Sequence, residues 1–187
     1  MDGDGHHSRE PERSEAAFGR NPERADADRQ VEVTYRRHGA AIFRYLCHVL
    51  GSQDEAWDVL QEVFLSLLRH LRRGGKCEHA RPFLMKSATR MAVRHERRWL
   101  FRRRPLQCLP AGLFSCPGFP VDLVEAVRQV YEVSDAKDRA ILTARLCEEL
   151  TNAEISSCLG FSLTMIQRRM RRIINRLEKR GVFLEKK

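Results

Sequence analysis

The segment of residues 151–180 constrains the fold more than any other, because it carries signals for two helices and the turn between them. Thr151, followed three residues later by Glu154, is typical of a capping box and predicts a helix start at the next residue. Gly160 stands where a helix ends in a left-handed residue, and Ser162 predicts the N-cap of a second helix. This order is typical of a helix-turn-helix motif.

The second of these helices is predicted to be apolar on one face and basic on the other. Its apolar stripe recurs at helical period and consists of Ile166, Met170, Ile173 and Leu177. Residues 162–180 hold seven basic residues against one acidic residue. Guanidinium groups suit both phosphates and the guanine edge in the major groove, so we expect DNA binding; a merely solvated basic helix is the alternative. The predicted DNA-binding residues are Ser162, Thr164, Gln167, Arg168, Arg171, Arg172 and Asn175.

The formal net charge of +9 at pH 7 is spread unevenly over the 187 residues. Residues 81–104 carry nine basic residues against Glu96 alone, whereas residues 105–161 carry four basic and eight acidic residues. Two separate basic blocks predict two separate contacts with nucleic acid. Residues 100–120 contain four prolines and two glycines, which predicts a linker between two small domains.

The periodicity of apolar residues predicts an all-α chain, and no segment has the alternation of a convincing strand. Before the helix-turn-helix motif, the predicted helices span residues 31–50, 53–72, 82–99, 121–133 and 136–147. The predicted organisation is a charged disordered arm at 1–29, a three-helix domain at 30–99, the linker at 100–120, a second helical domain at 121–182 and a tail at 183–187.

Several classes of protein are disfavoured by the sequence. The six cysteines show no zinc-finger spacing, so no metal site is predicted, and a redox role for Cys108 and Cys116 in the linker stays open. The sequence shows neither a nucleophile paired with a base nor a phosphate-binding loop, so an enzyme is disfavoured. No cofactor is predicted. Without a signal peptide or a long apolar run, we expect a cytoplasmic protein that does not insert into membranes.

Three segments resemble conserved regions of bacterial sigma factors. Residues 54–68, DEAWDVLQEVFLSLL, resemble the Ala-Glu-Asp-Leu-x-Gln-Glu-x-Phe signature of region two. Residues 81–98, RPFLMKSATRMAVRHERR, resemble the promoter-melting helix that follows it, and residues 138–177, with ELTNAEISSCLGFS at their centre, resemble region four. The size, the order and the short proline-rich linker resemble the extracytoplasmic-function (ECF) group, which keeps only these two domains.

The resemblance implies a sigma factor that binds RNA polymerase core and directs it to promoters. Polymerase would be bound by four residues of the second helix: Glu55, Asp58, Gln61 and Glu62. The third helix would hold the melted minus-ten element through five basic residues: Lys86, Arg90, Arg94, Arg97 and Arg98. The second domain would read the minus-thirty-five element. The implied partners are polymerase core, promoter DNA and an anti-sigma factor, and the chain is expected to be a monomer without them.

The sequence also departs from the family pattern at several positions. Trp57 stands where the family usually has Glu, Arg90 where it usually has Asn, and Arg94 where it often has Asp. Residues 164–166 are Thr-Met-Ile where Gly-Thr-Val is usual. A helix-turn-helix regulator that is not a sigma subunit is the alternative function, but it would leave the motif at residues 54–68 unexplained.

Overall fold

The computed structural model describes residues 22–98 and 121–179, and these two ranges fold into seven helices without a strand. The predicted all-α fold class is confirmed. The helices are α1 (Pro22–Leu50), α2 (Gln53–Arg72), α3 (Ala80–Arg98), α4 (Val121–Glu132), α5 (Ala136–Cys147), α6 (Asn152–Leu159) and α7 (Leu163–Glu178). The linker with Cys108 and Cys116, Trp99, the arm before residue 22 and the tail lie outside the described residues.

The start of α1 differs from the prediction. The helix is predicted to start near residue 31, with residues 22–29 in a disordered arm, and both expectations are wrong, because α1 begins at Pro22. Proline is well suited to a first helical position, where its missing N–H has no helical acceptor to lose. Ala27 is only 5% exposed, and the Asp28 carboxylate accepts hydrogen bonds from Arg72 Nε and Nη2 of α2. Tertiary contacts therefore stabilise the first turns of α1, although the high density of charged residues there predicts disorder.

The first three helices form one group around a shared apolar core. Leu46 of α1, Leu60 of α2 and Leu84 of α3 are almost completely buried in it. The core also contains a polar pair, since the Tyr45 hydroxyl lies 2.7 Å from Oγ1 of Thr89. This hydrogen bond joins α1 to α3 and satisfies two polar groups that are shielded from water.

The start of α2 is confirmed at Gln53, but only half of the expected capping box forms there. Ser52 Oγ accepts a hydrogen bond from the backbone N–H of Glu55 at 3.4 Å. The Glu55 carboxylate lies instead 3.7 Å from Nδ1 of His95 in α3. Glu55 therefore contributes to the packing of α2 on α3.

The local signals between α5 and α7 are confirmed. Thr151 and Glu154 form the complete capping box at the start of α6, and Gly160 has a φ of 71° at its end. Ser162 caps α7 by accepting a hydrogen bond from the Met165 N–H at 3.3 Å. Left-handed backbone at this position favours glycine, because other residues would place a Cβ too close to the backbone. Helix, turn and helix thus follow one another as the pattern predicts.

α5 is buried on two opposite sides and joins the first group of helices to a second group, which consists of α4, α6 and α7 together with α5 itself. Ala136, Ala140 and Ala144 are fully buried in the same core cluster as α1, α2 and α3. Leu142 packs instead in a second cluster with Ile173 and other apolar residues of α4 and α7. Small residues at every fourth position line one side of α5 and allow the first three helices to approach it closely. Because Leu142 packs on the other side, α5 links the two clusters directly.

Glu96, at the end of α3, forms the central polar link between the two groups. Its carboxylate accepts hydrogen bonds from the Ala136 N–H at 2.7 Å and from Arg139 Nη2 at 2.6 Å. Arg139 is buried, and its Nε donates to the Ser134 carbonyl as well. Removing either partner would leave the other charge buried without compensation, which destabilises a fold, so Glu96 and Arg139 stabilise the structure only as a pair.

A second link involves the end of α1. The Tyr131 hydroxyl of α4 donates a hydrogen bond to the backbone carbonyl of His48 and lies 2.9 Å from Thr143 Oγ1. The His48 Nδ1 atom is buried without a hydrogen-bond partner among the described residues. Burial, with a smaller effect of the neighbouring Arg44, lowers the pKa of His48 to about 4. The imidazole is therefore neutral in the folded protein over most of the acidic range.

None of the helices within the described ranges combines the length and the apolar content that a membrane span requires.

We predict that the free energy of unfolding falls as the pH is lowered from about 7 towards 4.5. Unfolded histidine binds a proton near pH 6.5, whereas folded His48 does so only near pH 4. The unfolded state therefore gains protons first, and acid favours it. The expected loss is roughly 1 to 2 kcal/mol, because residual solvent contact reduces the full value of the shift. Urea denaturation at the two pH values measures it.

His48→Gln is the control for this prediction, since glutamine keeps a polar side chain that does not titrate. The variant should lose less stability than the parent over the same pH interval. An identical loss in both proteins would assign the pH dependence to other groups.

Candidate nucleic-acid interface

The structure places all seven predicted DNA-binding residues of the second group at the surface. They form the α7 basic face, which consists of Ser162, Thr164, Gln167, Arg168, Arg171, Arg172 and Asn175. Ile166, Ile173 and Leu177 on the opposite side of α7 are buried, and this burial sets the direction in which the basic face points. No salt bridge among the described residues uses Arg168, Arg171 or Arg172. Their guanidinium groups are therefore available to a polyanion.

Two other arginines of α7 have structural partners. Arg169 Nη1 lies 2.8 Å from the Asp135 carboxylate and 2.5 Å from the Asp138 carboxylate, and its side chain is only 13% exposed. Arg176 Nη1 lies 3.4 Å from Asp138, which is 2% exposed. Both arginines are among the seven basic residues of 162–180, but neither is one of the predicted DNA-binding residues. Both lie three residues after an isoleucine of the apolar stripe, so helical spacing places them beside that stripe.

The carboxylate of Asp135 serves two elements at once. It accepts a hydrogen bond from the Asp138 N–H at 2.8 Å, which caps α5, and it pairs with Arg169 of α7. Partial burial acts to raise the pKa of Asp135, but the Asp138 N–H and the Arg169 guanidinium outweigh it and hold the pKa below its ordinary value. The charged form thus stabilises both the start of α5 and the position of α7.

The basic residues of α3 divide into an exposed row and one covered member. Arg90, Arg94, Arg97 and Arg98 are exposed and follow one another at helical spacing, so the structure brings them together. Lys86, predicted with them, is half-buried. Its side chain lies against the turn between α6 and α7, where a Cβ on Gly160 would come within 2.6 Å of Lys86 Cε. We refer to the four exposed arginines as the α3 arginine row.

A surface of opposite sign lies on α2. Asp54, Asp58, Gln61 and Glu62 are exposed at helical spacing and form the α2 acidic face. None of these carboxylates takes part in a salt bridge within the described ranges. Glu55, predicted as part of the same surface, is half-buried beside His95. Three of the four predicted polymerase-binding residues therefore share one open surface, and the fourth faces α3.

Glu96 is a structurally important residue that no sequence motif marks. It appears in the sequence only as the single acidic residue among nine basic ones in residues 81–104. The structure gives its carboxylate two partners, the Ala136 N–H and the Arg139 guanidinium. The sequence alone could not have named those partners.

The family comparison bears on the helices that carry the α2 acidic face and the α3 arginine row. Residues 34–100 match the family model Sigma-70 region 2. A Sigma-70 region 2 domain implies a sigma-factor role in RNA polymerase binding and promoter recognition, and the family comprises transcription initiation factors that are not enzymes. The predicted resemblance of residues 54–68 and 81–98 is confirmed at this level. No curated protein matches the chain.

The matched range includes α2, α3 and most of α1. It ends before α4, so DNA reading by the α7 basic face and membership of the ECF group stay predictions.

We predict that Arg169→Ala lowers the free energy of unfolding by about 2 to 4 kcal/mol, because it removes the closest partner of the buried Asp138 carboxylate. The neighbouring substitution Arg168→Ala should change stability by no more than about 0.5 kcal/mol, since that side chain is exposed. Urea denaturation of the two variants gives a matched comparison. Equal stabilities would show that the ion pair with Asp138 does not hold α7 in place.

Proposed function

We propose that this protein is a sigma factor of the ECF group, which binds RNA polymerase core and directs transcription initiation at specific promoters. The observation that carries the proposal is the open α2 acidic face within the Sigma-70 region 2 match. A negative surface without partners stands out on a chain with a net charge of +9. It suits a basic surface on a protein partner.

Polymerase core is the partner that this surface supports best. Asp58 and Glu62 lie one helical turn apart and are both exposed, with Gln61 between them as a hydrogen-bonding group. Charge complementarity of this kind speeds association and fixes the orientation of partners. The rigid packing of α2 against α1 and α3 holds the surface in one shape before binding, which lowers the entropic cost of association.

The α3 arginine row would hold single-stranded promoter DNA at the minus-ten element. Arginine side chains pair with backbone phosphates and stack on exposed bases, so a row of four suits a melted strand. Opening of the duplex needs no enzymatic step, because preferential binding of the melted state shifts the equilibrium towards it.

The α7 basic face would read the duplex of the minus-thirty-five element. This face begins at the N-cap residue Ser162, and recognition helices place their first turns against base edges in the major groove. Arg168 and Arg171 lie one turn apart on this face. A bidentate arginine contact with guanine is the commonest specific contact in such interfaces.

The proposed setting of this activity follows from the ECF group. The protein would act in the cytoplasm, as a monomer until it binds polymerase core, and would be held inactive by an anti-sigma factor. A helix-turn-helix regulator without polymerase binding would use the α7 basic face but not the α2 acidic face. Binding to core therefore separates the two functions.

We predict that the double substitution Asp58→Lys and Glu62→Lys weakens binding to purified polymerase core by at least about tenfold, because both side chains point outward into the proposed interface. The thermal melting temperature should stay close to that of the parent. Affinity is measured by titrating labelled protein with core, and run-off transcription reports the functional loss.

The matched control is Glu32→Lys with Glu132→Lys, which changes the net charge equally at exposed positions of α1 and α4. If the control loses as much affinity as the test variant, general repulsion and not a docking surface explains the effect. A test variant that binds core like the parent would exclude the α2 acidic face as the docking surface.

For the α7 basic face we predict that Arg168→Ala or Arg171→Ala costs about 1 to 3 kcal/mol in affinity for the cognate promoter if the side chain reads a guanine. Promoter affinity of the holoenzyme at two salt concentrations is the measurement. A contact with phosphate would instead weaken all sequences alike and reduce the salt dependence.

Ile173→Ala supplies the contrast, since it should destabilise the fold by about 2 to 5 kcal/mol through a cavity in the core. Its defect should appear first in the melting temperature. Arginine variants that melt normally and keep full promoter affinity would leave the α3 arginine row as the remaining candidate for DNA binding.

A further inference from the structure

Trp57 is a large aromatic side chain that the fold leaves open to solvent. It lies on α2, and 45% of its surface is exposed. Its ring packs on Phe43 of α1, with the two ring centroids 4.4 Å apart and the ring planes inclined by 35°. Phe43 therefore covers part of the indole and restricts its rotation, while the exposed part of the ring faces solvent.

The surroundings of the exposed indole are acidic. Asp54 precedes Trp57 by three residues and Asp58 follows it directly, while Gln61 lies one turn further along the same side of α2. No lysine or arginine of the described residues lies over the Trp57 ring, although such a contact does occur elsewhere, between Lys137 and Phe161. An aromatic face next to exposed carboxylates attracts cations through both its quadrupole and its charged neighbours.

We infer that Trp57 is a cation-binding anchor of the docking surface for RNA polymerase core. The open indole face receives an arginine or lysine side chain of the polymerase, which Asp54 and Asp58 hold in place from the sides. This inference rests on the proposed function and deepens it, because it names the chemistry of the group that the α2 acidic face binds.

Two properties of Trp57 favour a basic protein surface as the occupant. Trp57 belongs to the same exposed helix surface as Asp58, Gln61 and Glu62, so a partner that neutralises those groups also covers the indole. Pre-oriented tryptophans near the centre of an interface are common hot spots, since they bury much area at little cost in side-chain entropy.

The departure from the family pattern agrees with this chemistry. The family usually has Glu at this position, and a carboxylate and an indole face both favour a cation. Trp57 keeps the preference for a cation and adds apolar area. A cation–π contact thus takes the place of an ion pair, while the bound group is still a cation.

The first test compares Trp57→Ala with Tyr35→Ala in titrations of purified polymerase core. Tyr35 is the matched control, because it is 43% exposed and also packs on a neighbouring ring, that of Phe64, but is carried by α1. Trp57→Ala should lower the affinity by about tenfold or more, which corresponds to about 1.4 kcal/mol. Tyr35→Ala should stay within about threefold of the parent. Equal losses in the two variants would overturn the inference, because loss of exposed apolar area would then suffice.

The second test separates cation binding from shape. Tetrafluorotryptophan replaces Trp57 in a Trp99→Phe background, so that it is the single tryptophan of the chain. Fluorine withdraws electron density from the ring face and weakens its attraction for a cation, while the ring keeps nearly the same size. Affinity for core should fall about threefold or more relative to the unfluorinated Trp99→Phe protein. Unchanged affinity would overturn the inference.

The tests distinguish this inference from the proposed function. If Asp58→Lys with Glu62→Lys weakens core binding while Trp57→Ala does not, the sigma-factor proposal stands and the anchor does not. If the parent protein itself fails to bind core, both are wrong. Melting temperatures close to that of the parent show that a loss of affinity is not a loss of fold.

Discussion

The burial of α5 on two sides is the constraint on which the arrangement of the other helices depends. A helix enclosed in this way can carry charged side chains only where each has a partner. Asp138 meets this condition through Arg169 of α7, and Arg139 meets it through Glu96 of α3. The same two ion pairs therefore decide how α7 lies on α5 and where α3 ends beside it. Apolar contacts bring the helices together, and the paired charges select one arrangement among similar ones.

The fold separates charges that neutralise each other from charges that remain open. Arg168 and Arg169 are neighbours in the chain, yet one points to solvent and the other to buried aspartate. Helical periodicity causes this separation, because successive side chains differ in direction by about 100°. The net positive charge of the chain thus gathers on the exposed sides of α3 and α7, whereas α2 presents carboxylates. One molecule can in this way offer surfaces of both signs to different partners.

Structural features that depend on a few neighbouring residues could be predicted from the sequence. The bounds of α6 and α7 could be predicted, because the hydrogen bonds that cap them at Thr151, Gly160 and Ser162 join residues at most four positions apart. The start of α1 could not, because the contact that supports it joins Asp28 to a residue 44 positions away. The link between Glu96 and α5 was equally inaccessible, since sequence spacing carries no information about which distant groups meet. For the binding surfaces, the helical periodicity of the apolar residues identified the side chains that point away from the apolar side of each helix. It did not identify those, such as Glu55 and Lys86, that contact another helix or turn of the same chain.

The packing of α5 on the first three helices has a consequence for the order of events during synthesis. The N-terminal helices leave the ribosome first, and domains generally fold in that order. α3 ends at Arg98 and α5 begins only at Ala136, so the apolar surface of α1 and α3 that α5 later covers is complete before α5 is made. Until then this surface is exposed to water and to other nascent chains, a condition that promotes aggregation. The interval between the emergence of α3 and that of α5 is therefore the stage at which a chaperone would protect this chain most.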